Sequence, residues 1–79
     1  MSDFGVPTKR SVLIAGHQTS ISLEPMFWQA LEQAAEERKC PLNALIAEID
    51  VLRLRSERRA NLSSAIRQWL FQRSSGWHS

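Results

Sequence analysis

The chain has 79 residues, a formal net charge of +2 and one cysteine, Cys40. A domain this small buries only roughly 60% of its unfolded surface, and small folds recover stability from disulfides, a metal or a partner chain. One cysteine excludes an internal disulfide, and His17, His78 and Cys40 are too scattered for a zinc site. That leaves oligomerisation, so a homodimer is expected, with no cofactor and no metal.

The lone cysteine fits a reducing compartment. The sequence shows no charged-then-apolar leader and no apolar run of membrane length. A soluble, cytoplasmic protein that makes no membrane contact is expected.

Residues 1–8, MSDFGVPT, have no hydrophobic period and read as a flexible arm. Residues 9–23 read as β-structure. Ser11 to Ile14 is a short β-branched run, Gly16 marks a break, and Thr19 to Leu23 alternates cleanly. Thr19, Ile21 and Leu23 fall on one face, and Gln18, Ser20 and Ser22 on the other. The break is consistent with a hairpin turn or a bend, since AGHQ is a poor tight-turn signature.

Helix one begins at Glu24-Pro25, because proline suits the first helical position. Phe27, Leu31, Ala34 and Ala35 make its apolar stripe, and Arg38 and Lys39 suit the negative end of its dipole. Helix two restarts at Pro41, with Leu42, Leu45, Ile46 and Ile49 on one face, and runs to about Leu54. Residues 55–60, RSERRA, form a polar connection in which arginines pair in part with Glu48, Asp50 and Glu57. Asn61 then caps a third helix over 61–73, with Leu62, Ala65, Ile66, Trp69 and Leu70 as its stripe. Residues 74–79 read as a disordered tail. The fold class is therefore mainly α with a short β-ribbon, in a single domain over 9–73.

No residues are spaced for catalysis. Ser63 and Ser64 beside Asn61 are read as capping groups, His17 as a turn residue, and Trp28 and Trp69 as core or dimer contacts. The chain is read as a non-enzyme.

A lone strand with one apolar face is unstable and offers an unpaired edge. Pairing with a two-fold copy would give a ribbon that fits the major groove of B-DNA. The run TSISLEPMFWQALEQAAEERKCPLNALIAEID resembles the ribbon-helix-helix fold of the Arc and MetJ repressors. The shared pattern is an alternating strand, a helix with paired alanines near its end, a tight turn and an x-L-N-A-L-I opening of the second helix. It covers roughly residues 18–50. The flanking runs KRSVLIAGHQTSISLE and NLSSAIR are similar to a subgroup of small ribbon-helix-helix proteins with an extra C-terminal helix.

The resemblance implies an intertwined homodimer that binds double-stranded DNA as a transcription regulator or repressor, with the ribbon in the major groove. It implies base contacts from Gln18, Ser20 and Ser22, and phosphate contacts from the start of helix two at Leu42, Asn43 and Ala44. Lys9, Arg10 and His17 flank the ribbon as further phosphate candidates. The dimer core is expected from Ile21, Leu23, Phe27, Leu31, Leu45, Ile46 and Ile49, with assembly beyond the dimer also plausible for this fold. Two features depart from that picture: the outward face has no Arg or Lys, and Glu24 at the strand's end would repel phosphate. The alternative is an antitoxin-like protein-interaction module that binds a partner through residues 61–79. A helix-turn-helix bundle, with 9–23 as a mere arm, is the competing fold.

Overall fold

A computed structural model describes residues 5–74. Its order is β1 (Thr8–Ile14), β2 (His17–Leu23), α1 (Pro25–Glu37), α2 (Leu42–Arg55) and α3 (Leu62–Ser74). The expected ribbon and three helices are all present, each within two residues of the sequence reading except at helix ends. The expected arm is shorter, because Thr8 already belongs to β1. Residues 1–4 and 75–79, which carry most of the expected arm and tail, lie outside the described residues.

The ribbon closes inside one chain. β1 and β2 are antiparallel, with Thr8 opposite Leu23 and Ile14 opposite His17. The turn is Ala15-Gly16, both with positive φ, 50° and 81°. Positive φ at both central residues is the geometry of a type I′ turn, whose twist matches that of the strands. Glycine adopts it freely, whereas alanine sits there at some cost. The helix-turn-helix alternative required residues 18–23 to be unpaired, and they are paired.

This corrects one expectation. The partner of β2 is β1 of the same chain rather than a second copy. Closing a two-residue loop costs far less entropy than bringing two molecules together, so the local partner wins.

The turn between α1 and α2 explains how two helices fold sharply with so short a break. Lys39 takes φ 55°, the amide of Lys39 donates to Glu36 O and that of Cys40 to Ala35 O, both at 3.0 Å. These paired bonds form a Schellman cap and satisfy the last carbonyls of α1. Pro41 then enters α2 in extended conformation as its N-cap.

One face of the ribbon and the inner faces of all three helices form one core. It comprises Val12, Ile14, Ile21, Leu23, Trp28, Leu31, Ala34, Ala35, Leu45, Ile46, Ile49, Ile66 and Leu70. Of the seven residues expected in a core shared by two chains, Ile21, Leu23, Leu31, Leu45, Ile46 and Ile49 are buried and Phe27 is half-buried. β1 adds Val12 and Ile14 to this core and α3 adds Ile66 and Leu70. Trp28, absent from the expected stripe of α1, is also buried. No buried side-chain nitrogen or oxygen lacks a partner among the described residues.

Candidate nucleic-acid interface

The register decides which side chains share the outward face. Cross-strand partners in an antiparallel pair project to the same side. Ile21 and Leu23 face the core, so Arg10 and Thr8 opposite them project to that side. The other face carries Lys9 opposite Ser22, Ser11 opposite Ser20, and Leu13 opposite Gln18. Lys9, Ser11, Leu13, Gln18 and Ser20 are exposed and Ser22 is half-exposed. None of these six side chains has a hydrogen-bond or ion-pair partner among the described residues.

Gln18, Ser20 and Ser22 thus share one face, as the alternation required. Lys9 joins them, so the ribbon's outward face is not devoid of positive charge. Ser11 and Leu13 are the residues that sequence reasoning missed. A two-residue turn at Ala15-Gly16 fixes their partners, and that turn was the signal that would have found them.

Arg10 and Lys9 do not act as a pair. Arg10 lies on the core side, its guanidinium 4.4 Å from the Trp28 ring centre and 3.1 Å from Glu32 Oε2. That arginine braces the ribbon against α1, on the side opposite Lys9. His17 is exposed beside the turn, but its partner Ile14 faces the core, so it lies on the opposite side from Gln18.

Both edges of the ribbon are tied to helix starts. Asn43 Nδ2 donates to the carbonyl of Leu13 at 3.3 Å, which sets the first turn of α2 beside β1 near the hairpin tip. Ser63 Oγ donates to the carbonyl of Ser22 at 2.9 Å, which sets the first turn of α3 beside β2 at the other end. Ser63 therefore holds the ribbon instead of capping its helix. The cap is Asn61, whose Oδ1 accepts from the Ser64 amide at 2.8 Å.

At the start of α2, the amides of Leu42 and Asn43 have no acceptor among the described residues. The amide of Ala44 donates to Pro41 O at 3.1 Å, so it is not free as the resemblance implied. Lys39, exposed and unpaired among the described residues, sits just before them.

Glu24 does not leave a bare negative charge at the ribbon's end. Its carboxylate receives Arg67 Nε at 3.0 Å and Nη2 at 3.3 Å, a two-pronged pair from α3. A backbone hydrogen bond at Glu24, followed by the Arg67 side chain, holds the carboxyl below its ordinary value of 4.5, against a smaller opposing effect of burial. A depressed folded-state value means the stabilisation is complete above the unfolded value and fades as pH falls through the folded one. Wild type should therefore lose stability relative to Glu24→Gln as pH drops below about 4.5. Urea unfolding of both proteins between pH 7 and pH 3 measures this, and a difference that stays constant with pH would refute it.

Trp69 is half-buried on α3, with the Arg38 guanidinium 5.9 Å from its ring centre, and Arg38 also pairs with Glu48 at 2.6 Å. Trp28 is buried in the core, while half-buried Trp69 lines an open groove between α2 and α3 with Ile49, Leu52 and Arg58. In the connection, Arg53 pairs with Asp50 at 2.8 Å, while Glu48 is taken by Arg38 and Glu57 pairs with nothing among the described residues. No group of His, Cys, Asp or Glu among the described residues is arranged to hold a metal. No helix is long and apolar enough to cross a membrane among the described residues.

What this surface offers is a two-stranded, polar, solvent-facing ribbon, rigidly backed and tied at each end to a helix start. Comparison with curated proteins and with solved structures finds no match. The family model described as a ribbon-helix-helix domain matches residues 7–73, spanning the hairpin and all three helices. The chain belongs to the ribbon-helix-helix domain family.

Proposed function

We propose that this protein is a DNA-binding transcription regulator, acting as a dimer, with the ribbon in the major groove. The observation that carries the reading is the outward ribbon face, whose six side chains have no internal partners among the described residues, while Val12, Ile14, Ile21 and Leu23 on the other face are buried. A two-stranded ribbon matches the width of the groove. Gln18 suits a bidentate contact to adenine N6 and N7, and Leu13 directly opposite suits a thymine methyl. Ser11, Ser20 and Ser22 add contacts of low discrimination. The free amides of Leu42 and Asn43 and the Lys39 side chain suit a phosphate beside the hairpin tip. No bond is made or broken in this mechanism. Occupancy of the operator changes access of the transcription machinery.

Val51 and Leu54, three apart on α2 and 45% and 43% exposed, offer an apolar face for a second copy. The second reading is an antitoxin-like module that binds a protein partner through residues 61–79, and what favours it is the open groove on α3 lined by Phe27, Arg67 and exposed Phe71.

The test is a gel shift of the full chain on its own upstream DNA. Gln18→Ala should weaken specific binding roughly 5- to 150-fold, equivalent to about 1–3 kcal/mol, while leaving non-specific binding unchanged. Equal loss on both kinds of DNA would refute base reading by Gln18. Absence of any DNA affinity at low salt, with a protein partner retained instead, would overturn the regulator reading.

A further inference from the structure

The arginines of this chain divide into two groups. Arg10, Arg38, Arg53, Arg67 and Arg73 each pair with a carboxylate: Glu32, Glu48, Asp50, Glu24 and Glu37. Arg55, Arg58 and Arg59 are exposed and pair with none among the described residues. Arg55 closes α2, where a cation complements the helix dipole, which is a sufficient reason for it. Arg58 and Arg59 lie past that helix end and have no such role.

The segment that carries them is anchored. Arg53 Nη1 donates to the carbonyl of Ala60 at 3.2 Å, and Ser56 Oγ donates to the carbonyl of Arg58 at 3.2 Å. Asn61 caps α3 immediately afterwards, and Ser63 is bonded to Ser22. Ser22 stands opposite Lys9, the one cation on the outward ribbon face. Arg59 is four residues from Ser63, a reach of at most about 13 Å. Because Ser63 is bonded to Ser22, the connection that ends at Asn61 lies at the base end of the ribbon, opposite the hairpin tip.

We infer that Arg58 and Arg59 form a second phosphate-binding element, which works with Lys9 at the base of the ribbon and binds the DNA backbone without reading sequence. The inference rests on the DNA-binding reading and extends it, because the contact at the start of α2 serves the tip end alone. The tethered backbone limits the ordering needed when the two guanidiniums meet phosphates to their side chains, and each contact releases a condensed counterion.

Fluorescence-polarisation titration of the full chain against a random-sequence 20-base-pair duplex, over a series of salt concentrations, tests this. Each substitution acts in both copies of the dimer, so Arg58→Ala/Arg59→Ala should reduce the slope of log affinity against log salt by about four units, and Lys9→Ala by about two. Arg58→Lys/Arg59→Lys should retain most of the wild-type slope, since the charge remains. An unchanged slope in the double alanine variant, with the expected drop for Lys9→Ala, would overturn the inference and leave the DNA reading intact. No wild-type affinity for the duplex at low salt would overturn both.

Discussion

Ile66→Ala is expected to destabilise the protein by about 2–5 kcal/mol. The side chain is fully buried, on the face of α3 that packs into the same core as the ribbon and the first two helices. Truncation removes apolar surface from contact and leaves a cavity that the neighbouring Leu and Ile side chains fill only in part. A domain of this length has roughly 4–12 kcal/mol of total stability, so the loss is a large share of it. Each kcal/mol lowers the unfolding midpoint by about 4–8 °C in a domain of this size. Phe71→Ala on the same helix removes a side chain that is 65% exposed and should change stability by no more than about 0.5 kcal/mol. Urea unfolding of the two variants beside wild type makes the comparison. If Ile66→Ala cost less than about 1 kcal/mol, α3 would be an appendage instead of a wall of the core.

Trp28→Ala should cost about 3–5 kcal/mol, the usual range for removing a buried tryptophan. Three links converge on this side chain. Its ring is buried in the core, its Nε1–H donates to the carbonyl of Thr8 at 2.9 Å, and Arg10 stacks on its outer face. The first two join α1 to the start of β1, so the substitution should loosen the hairpin as well as the core. Trp28→Phe separates the contributions. It keeps most of the apolar packing and the stacking of Arg10 but loses the indole donor, and should cost about 1–2 kcal/mol. Amide hydrogen exchange in β1 should rise in both variants and more in the alanine one. Protection of β1 equal to wild type would show that the strand does not depend on this anchor.

Most of the fold was legible along the chain. Glu24-Pro25, the alternation of Thr19, Ile21 and Leu23, the stripe of Leu45, Ile46 and Ile49, and the cap at Asn61 each report local geometry through residues that neighbour one another in sequence. Periodicity and capping depend on those neighbours alone, so they survive without tertiary information. The hairpin turn was less legible because Ala15 occupies a left-handed position that usually belongs to glycine or asparagine, and the sequence therefore hid the turn type.

The candidate site was half legible. Period-two alternation placed Gln18, Ser20 and Ser22 on a common face. It did not relate that face to β1, because register follows from the turn and not from either strand. A shift of one residue would have put Arg10 outward and Lys9 inward. The contrast between these two neighbours, one free and one stacked on Trp28, was therefore invisible in KRS. The same holds for Glu24, whose partner Arg67 comes from α3, and for the separation of paired from unpaired arginines.

The sequence by itself determined the elements, their order and the division of each into an apolar and a polar side. These follow from short-range sterics, hydrogen bonding and the periods of helix and strand. The tertiary structure alone decided that β2 pairs with β1 of the same chain, that α3 adds Ile66 and Leu70 to the core, and which charges remain without a carboxylate among the described residues. Each of those depends on residues far apart in sequence meeting in space. A positive charge on Lys9, Arg58 or Arg59 is no different in sequence from one on Arg10 or Arg67 until folding brings, or fails to bring, a carboxylate beside it.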